Sequence, residues 1–168
     1  MGNRTLAIIK PDAVQNQYTE AICERIEKAD FIILASKMIH MTKTETESFY
    51  AIHQGKPFYD ELTTFMSPGK CMVLALEKEN AVDSWRKIIG ATNPAEALEG
   101  TIRKDFATSL GKNAVHGSDS DKNAEKEIAF FFLQSELMAN KYKTYEISHL
   151  FYTYYRFIIG HELRWYKG

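Results

Sequence analysis

The residues of this chain that can do chemistry near neutral pH gather in one stretch, Asn113-Ala114-Val115-His116-Gly117-Ser118-Asp119-Ser120. A neutral imidazole is a good nucleophile there, because its unperturbed pKa is about 6.5. Gly117 has no side chain, so a substrate is expected to approach the ring closely. Ser118 and Ser120 are both good N-cap residues for the polar helical pattern that follows. A helix starting there aims free backbone N–H groups back toward His116 and favours an anion beside it. Further polar groups fit the same use. Lys10 ends an apolar run, Arg86 lies on a predicted helix, and Thr92, Arg103 and Asn113 fall in the irregular segment before His116. These are the types a polyphosphate site needs: guanidinium forks, an ammonium point charge, small hydroxyl and amide donors, and a nucleophile. Tyr50 and Phe58 flank a helix break and offer an aromatic face to a base. Singly, each has a plainer reading as a solvated charge, a core ring or a turn.

The elements that must position these groups follow from periodicity. Thr5–Ile9 is a short apolar run stopped by Lys10-Pro11-Asp12, which predicts a buried central strand and then a turn. Ile22, Ile26 and Ala29 recur at helical spacing, giving an amphipathic helix over 19–30 with Thr19 as its cap. Residues 31–41 predict a second strand. Thr42-Lys43-Thr44-Glu45 matches a capping box for a helix running to about His53. Phe58–Met66 predicts another short helix and Cys71–Leu76 a third strand. Asn80 is the expected cap of a helix with Val82, Trp85 and Ile89 on its apolar face, closed by Gly90. Residues 91–115 are the least regular part, and a loop that long in a compact domain is usually functional or disordered. Ile128–Leu133 predicts the fourth strand. The result is an α/β sandwich with one small sheet and helices on its faces.

Composition bounds the classes. The chain has 168 residues, 45% hydrophobic and 26% charged, with a formal net charge of −1. That suits one soluble domain and provides no bulk field toward nucleic acid or membrane. No apolar run approaches the roughly 20 residues that span a bilayer, and the N-terminus lacks a signal-peptide shape. Cys23 and Cys71 have no metal-ligand spacing and read as buried thiols of a reducing compartment, so a cytoplasmic location is expected. Residues 142–168 are different: they hold nine of the 21 aromatics. Ile147, Phe151, Tyr154 and Ile158 fit one helix face, at about 144–159, that needs a surface to bury it.

Four segments together resemble one family. They are Leu6-Ala7-Ile8-Ile9-Lys10-Pro11-Asp12, Gly90-Ala91-Thr92-Asn93-Pro94-Ala95, Gly100-Thr101-Ile102-Arg103, and Asn113 through Ser120. In this order and spacing they resemble the signature segments of nucleoside diphosphate kinases, over about Arg4 to Leu133. The resemblance implies a ferredoxin-like βαββαβ core with a four-stranded antiparallel sheet, its first and third strands central, to which the periodicity of the tail adds a helical C-terminal extension. Together with the tail's composition, the resemblance divides the chain into a kinase-like domain, 1–137, and an aromatic extension, 138–168, expected to pack on the same domain or on a neighbouring subunit. It implies transfer of the γ-phosphate of a nucleoside triphosphate, ATP as donor, to a nucleoside diphosphate, in a ping-pong cycle with Mg²⁺. By position, His116 would form the phosphohistidine, at its pros nitrogen, supported by Lys10, Tyr50, Ser118 and Glu127. Lys10, Arg86, Thr92, Arg103 and Asn113 would hold the phosphates and sugar hydroxyls, and Phe58 and Leu110 would sandwich the base. No side chain is assigned to the metal, which would ride on the nucleotide phosphates. The family's habit implies a homo-oligomer, a tetramer or hexamer built from dimers. The sequence departs from the family pattern at Gln17 and Glu20, where relatives often carry glycines, and at Glu99, where many carry proline.

The residues independently suit such a reaction, since phosphoryl transfer is mostly positioning plus charge stabilisation. Stacking and phosphate contacts leave base edges unread, so tolerance of different bases is expected. The main rival is a nucleotide-binding scaffold of the same fold with reduced catalysis. A metal hydrolase built on His116, Asp119 and Asp121 has helix-cap spacing rather than ligand spacing. A nucleic-acid binder is disfavoured by the near-neutral charge.

Overall fold

The computed structural model describes residues 2–138. The extension helix expected at about 144–159, and its proposed contacts, lie outside the described residues. The chain runs β1 (Arg4–Ile9), α1 (Pro11–Gln15), α2 (Thr19–Lys28), β2 (Ile32–His40), α3 (Lys43–Phe49), a 3₁₀ turn (Ala51–His53), α4 (Tyr59–Met66), β3 (Lys70–Glu77), α5 (Ala81–Ile89), α6 (Ile102–Phe106), β4 (Val115–Gly117) and α7 (Asp121–Phe131). The four strands form one antiparallel sheet in the order β2-β3-β1-β4, so β1 and β3 are central as expected.

The sheet is covered on both faces, which is why β1 reads as an unbroken apolar run. Successive side chains of a strand point to opposite faces. Ala7 and Ile9 therefore join Ile22, Ile26, Trp85 and Ile89 of α2 and α5, while Leu6 and Ile8 join Met66, Ile128 and Phe132 on the other side. Each large side chain buried there contributes about 1.5–3 kcal/mol.

Several sequence expectations need correcting. The largest concerns Ile128–Leu133, which is not a strand. Ser120 accepts a hydrogen bond from Asn123 N–H and starts α7, and the helix continues to Phe131. Ala124 and Ile128, four apart, bury one face of it, and a short apolar run without alternation is equally consistent with a buried helix. The fourth strand is Val115–Gly117, only three residues long, and it carries His116. Pro11 does not make a turn: it is the first residue of α1, where its missing N–H costs nothing. Thr19 lies inside α2, whose cap position is Tyr18. Asn80 stands at the cap of α5 but in the left-handed region, φ 53, with no capping bond from its side chain. The Thr42–Glu45 capping box is present in both directions, but α3 ends at Phe49, with a 3₁₀ turn on to His53. Gln17, where the family pattern favours glycine, has φ 63. Glu99 is exposed and pairs with Lys104 at 3.5 Å.

Candidate active site

The pairing of β4 with β1 sets the site. His116 lies opposite Ile8, with Val115 opposite Ile9 and Gly117 opposite Ala7. The imidazole leaves this edge strand into a cleft of about 1140 Å³. Its Nε2 lies 2.9 Å from Glu127 Oε2 of α7. An ionised carboxylate can only accept, so the proton sits on Nε2. Nδ1 keeps its lone pair and has no partner among the described residues. Ser118 Oγ donates to the same Glu127 oxygen at 2.7 Å and accepts Leu6 N–H at 3.1 Å. Ser118 is therefore a buried relay from the central strand to Glu127, and Ser120 alone is the helix cap. The ring of Phe49 meets the imidazole edge-on at 5.6 Å between centroids, and that of Tyr50 at 6.1 Å.

Gly117 lines the cleft and has a packing role besides the expected one. A Cβ there would lie 2.6 Å from Trp85 Cδ1. Trp85 Nε1–H also donates to His116 O at 3.1 Å. The missing side chain makes room for the indole beneath β4.

Cations line one side of the cleft. Lys10, 6% exposed, donates from Nζ to Asn113 Oδ1 at 2.6 Å. Burial, with Arg103 nearby, pushes its pKa down to about 8, while Asp12 pulls the other way. Arg103 is buried too. It donates to Gly90 O at 2.9 Å and to Val115 O at 3.0 Å, so it braces β4. Its Nε is buried without a partner among the described residues. Burial, then the charge of Arg86, lowers its pKa to about 10. Arg86 and Thr92 are exposed on the cleft wall, with no side-chain hydrogen bond among the described residues. Tyr50 OH is buried and has no hydrogen-bond partner among the described residues. Burial, then Cys71 and Glu127, pushes its ionisation well above the usual range. At the outer lip Phe58 and Leu110 are 49% and 61% exposed.

The cleft thus brings together Lys10, Tyr50, Phe58, Arg86, Thr92, Arg103, Leu110, Asn113, His116 and Glu127; Ser118 stands behind Glu127. Sequence reading missed two rings here. Phe49 packs on His116, Tyr50, Phe130 and Phe131. His53 stacks on Tyr50 at 6.2 Å and tilts onto Phe58 at 5.5 Å. Helical periodicity from the capping box marks Phe49 only as a core ring, and the 3₁₀ turn that aims His53 has no sequence signal of its own.

A half-buried imidazole held by a carboxylate at one nitrogen, open at the other, and facing lysine and arginines below an aromatic lip defines a phosphotransferase site for nucleotides. The family model for nucleoside diphosphate kinase matches residues 3–137. The chain is 54% identical over 137 residues to the nucleoside diphosphate kinase of Salinibacter ruber, covering 82% of this chain and 96% of that one. It is 53% identical over 134 residues to that of Pasteurella multocida, covering 80% and 96%. Its fold is similar to the crystal structure of the Aquifex aeolicus enzyme, with TM-score 0.79 and 41% identity over 80% of this chain and 97% of that one. It is also similar to the halophilic enzyme of Halobacterium salinarum in complex with CDP, with TM-score 0.77 and 34% identity over 81% and 91%. The chain belongs to the nucleoside diphosphate kinase family. It is an enzyme of that family, and the sheet is the family's ferredoxin-like one.

Proposed function

We propose that this kinase exchanges phosphate between nucleotides through a phosphohistidine at Nδ1, the pros nitrogen, of His116. The observation that carries this reading is the Nε2 contact to Glu127, which leaves Nδ1 unprotonated. The Nδ1 lone pair attacks the γ-phosphorus of a nucleoside triphosphate, ATP in the first instance. The bond from phosphorus to the β,γ-bridging oxygen breaks, and that oxygen leaves on the nucleoside diphosphate. The ring becomes cationic as the N–P bond forms, and the Glu127 carboxylate offsets that charge. An oxygen of the second diphosphate then attacks the same phosphorus, and the N–P electrons return to Nδ1. The Nε2 proton never moves.

Lys10, Arg86 and Arg103 neutralise the phosphate oxygens, Thr92 and Asn113 add hydrogen bonds, and Tyr50 OH supplies a buried donor. Phe58 and Leu110 clasp the faces of the base, so purines and pyrimidines are accepted alike. Phosphate transfer in this family generally needs a divalent cation. Among the described residues no three His, Cys, Asp or Glu side chains converge into a ligand set, and the phosphate side of the cleft is cationic. These residues fit an Mg²⁺ ion that arrives on the nucleotide, held by the phosphates that Lys10 and the arginines grip; when bound it shields the transferred charge.

The kinase domain is 1–137, and 138–168 is an extension that contributes to a homo-oligomer, a tetramer or hexamer of dimers. The location is the cytoplasm, in keeping with two free cysteines. No helix among the described residues is long and apolar enough to cross a membrane. The test is incubation with γ-labelled ATP. The parent should take up acid-labile, base-stable label and pass it to an added nucleoside diphosphate, and His116→Ala should take up none. Label on His116→Ala at the parent's level overturns the assignment.

A further inference from the structure

Two residues before the imidazole, the backbone does what an alanine seldom does. Ala114 is fully buried at φ 65, in the left-handed region that a Cβ disfavours. Val115 N–H closes a three-residue turn across it onto Asn113 O at 2.7 Å. A turn of this kind with positive φ at its centre is rare and strained. It points the Asn113 amide at Lys10 and sends the chain directly into β4. The alanine side chain offers nothing that favours this conformation, so its surroundings must impose it.

Both backbone groups of Ala114 are held by the start of α1, across about a hundred residues of chain. Its carbonyl accepts Lys10 N–H at 2.8 Å. Its N–H donates to Asp12 Oδ2 at 3.0 Å. The first bond is backbone to backbone and available to any residue. Asp12 supplies the side chain of the clamp. Its other oxygen, Oδ1, is buried with no partner among the described residues. A buried acceptor left unpaired is costly, so this carboxylate is poorly explained as a device for stability alone.

We infer that Asp12 is a positioning residue, whose carboxylate holds the Ala114 turn and through it sets where β4 presents the His116 imidazole. The inference rests on His116 being the residue phosphorylated. Asp12 needs no contact with substrate for this. A displacement of the ring by about 1 Å is enough to cost on the order of 10²-fold in rate. Asp12 also lies beside Lys10 and favours its charged form, so removing its charge should weaken affinity, whereas removing the acceptor should slow transfer. The two effects separate when labelling is measured at saturating nucleotide.

The experiment is single-turnover labelling with saturating γ-labelled ATP and Mg²⁺, using the full chain. Asp12→Ala should label about 10–10²-fold more slowly than the parent. Asp12→Asn retains an acceptor for Ala114 N–H, so its maximal rate should stay within about threefold while its half-saturating ATP concentration rises. Asp12→Ala combined with Ala114→Gly should recover most of the lost rate, because glycine enters the left-handed region without help. Parent-like labelling by Asp12→Ala overturns the inference, as does Asp12→Asn labelling as slowly as Asp12→Ala. Should Asp12→Ala fail to fold, the double variant and Asp12→Asn decide: folded and near the parent rate supports positioning, folded and tenfold or more slower overturns it. Failure of the His116 assignment would appear separately, as label on His116→Ala with Asp12 intact.

Discussion

Lys10→Met should stabilise the free protein near neutral pH while it damages nucleotide binding. Lys10 is 6% exposed, and among the described residues its ammonium has one hydrogen bond, to Asn113. Burial lowers its pKa from the ordinary 10.5 to about 8. The fall corresponds to about 3 kcal/mol at about 1.36 kcal/mol per pH unit. Below pH 8 the lysine is charged in both states, and the folded state bears the whole cost. Between pH 8 and 10.5 the unfolded chain binds more protons than the folded one, so stability from this group rises with pH. Above 10.5 the cost is gone. Methionine removes the charge but leaves Asn113 Oδ1 without its donor, a loss of about 1 kcal/mol. The variant should therefore be about 2 kcal/mol more stable than the parent at pH 7. Most of that advantage should be gone by pH 10. Urea unfolding of both proteins at pH 7, 8, 9 and 10 measures the difference. A difference that does not change with pH, or a variant less stable than the parent at pH 7, would refute the reasoning. In the parent, nucleotide affinity should fall by about tenfold per pH unit above 8, as the ammonium is lost.

Gly117→Ala should destabilise the protein by about 1–3 kcal/mol in thermal unfolding, because its Cβ would meet Trp85 at 2.6 Å. Glu127→Gln should slow labelling by about 10²–10³-fold with little change in nucleotide affinity, since a neutral amide still accepts the Nε2 proton's hydrogen bond but no longer offsets the charge the ring gains; rapid-quench labelling checks it. Phe58→Ala should weaken purine and pyrimidine diphosphates alike by about 1–3 kcal/mol in calorimetry, and a loss confined to one base would point to edge recognition instead. A chain truncated after Asn140 should keep some kinase activity but show a lower or concentration-dependent mass in light scattering, and an unchanged mass would leave the extension an intrasubunit role.

Legibility followed the range of the interactions. Local signals read well: the capping box at Thr42, the apolar runs of β1 and β3, and the stripe of Val82, Trp85 and Ile89 all lie where sequence placed them. The polar groups of the cleft were legible because phosphate chemistry requires such types. What failed depends on partners far away in sequence. A three-residue strand such as β4 has too few residues to show a period, and only its pairing with β1 makes it one. The phenylalanines near residue 131 look like a strand until the cap at Ser120 commits the chain to a helix. Gly117 and Ser118 were singled out correctly as types, and the family resemblance paired Ser118 with Glu127, but Trp85 beneath Gly117 and Leu6 N–H on Ser118 arrive from other elements and had no local signal.

The cage around the imidazole has a kinetic consequence. Glu127 closes one nitrogen, and Phe49 and Tyr50 pack against the ring from the side. A ring so pinned cannot swing from a donor seat to a separate acceptor seat. Donor and acceptor must occupy the same cleft in turn, each waiting for the other to leave. On the proposed assignment of His116, a diphosphate that settles there before the ring is phosphorylated finds nothing to accept, and the enzyme would idle in a dead-end complex. Turnover should then pass through a maximum as the diphosphate rises at fixed triphosphate, and the enzyme's pace should follow the ratio of the two forms rather than the amount of either.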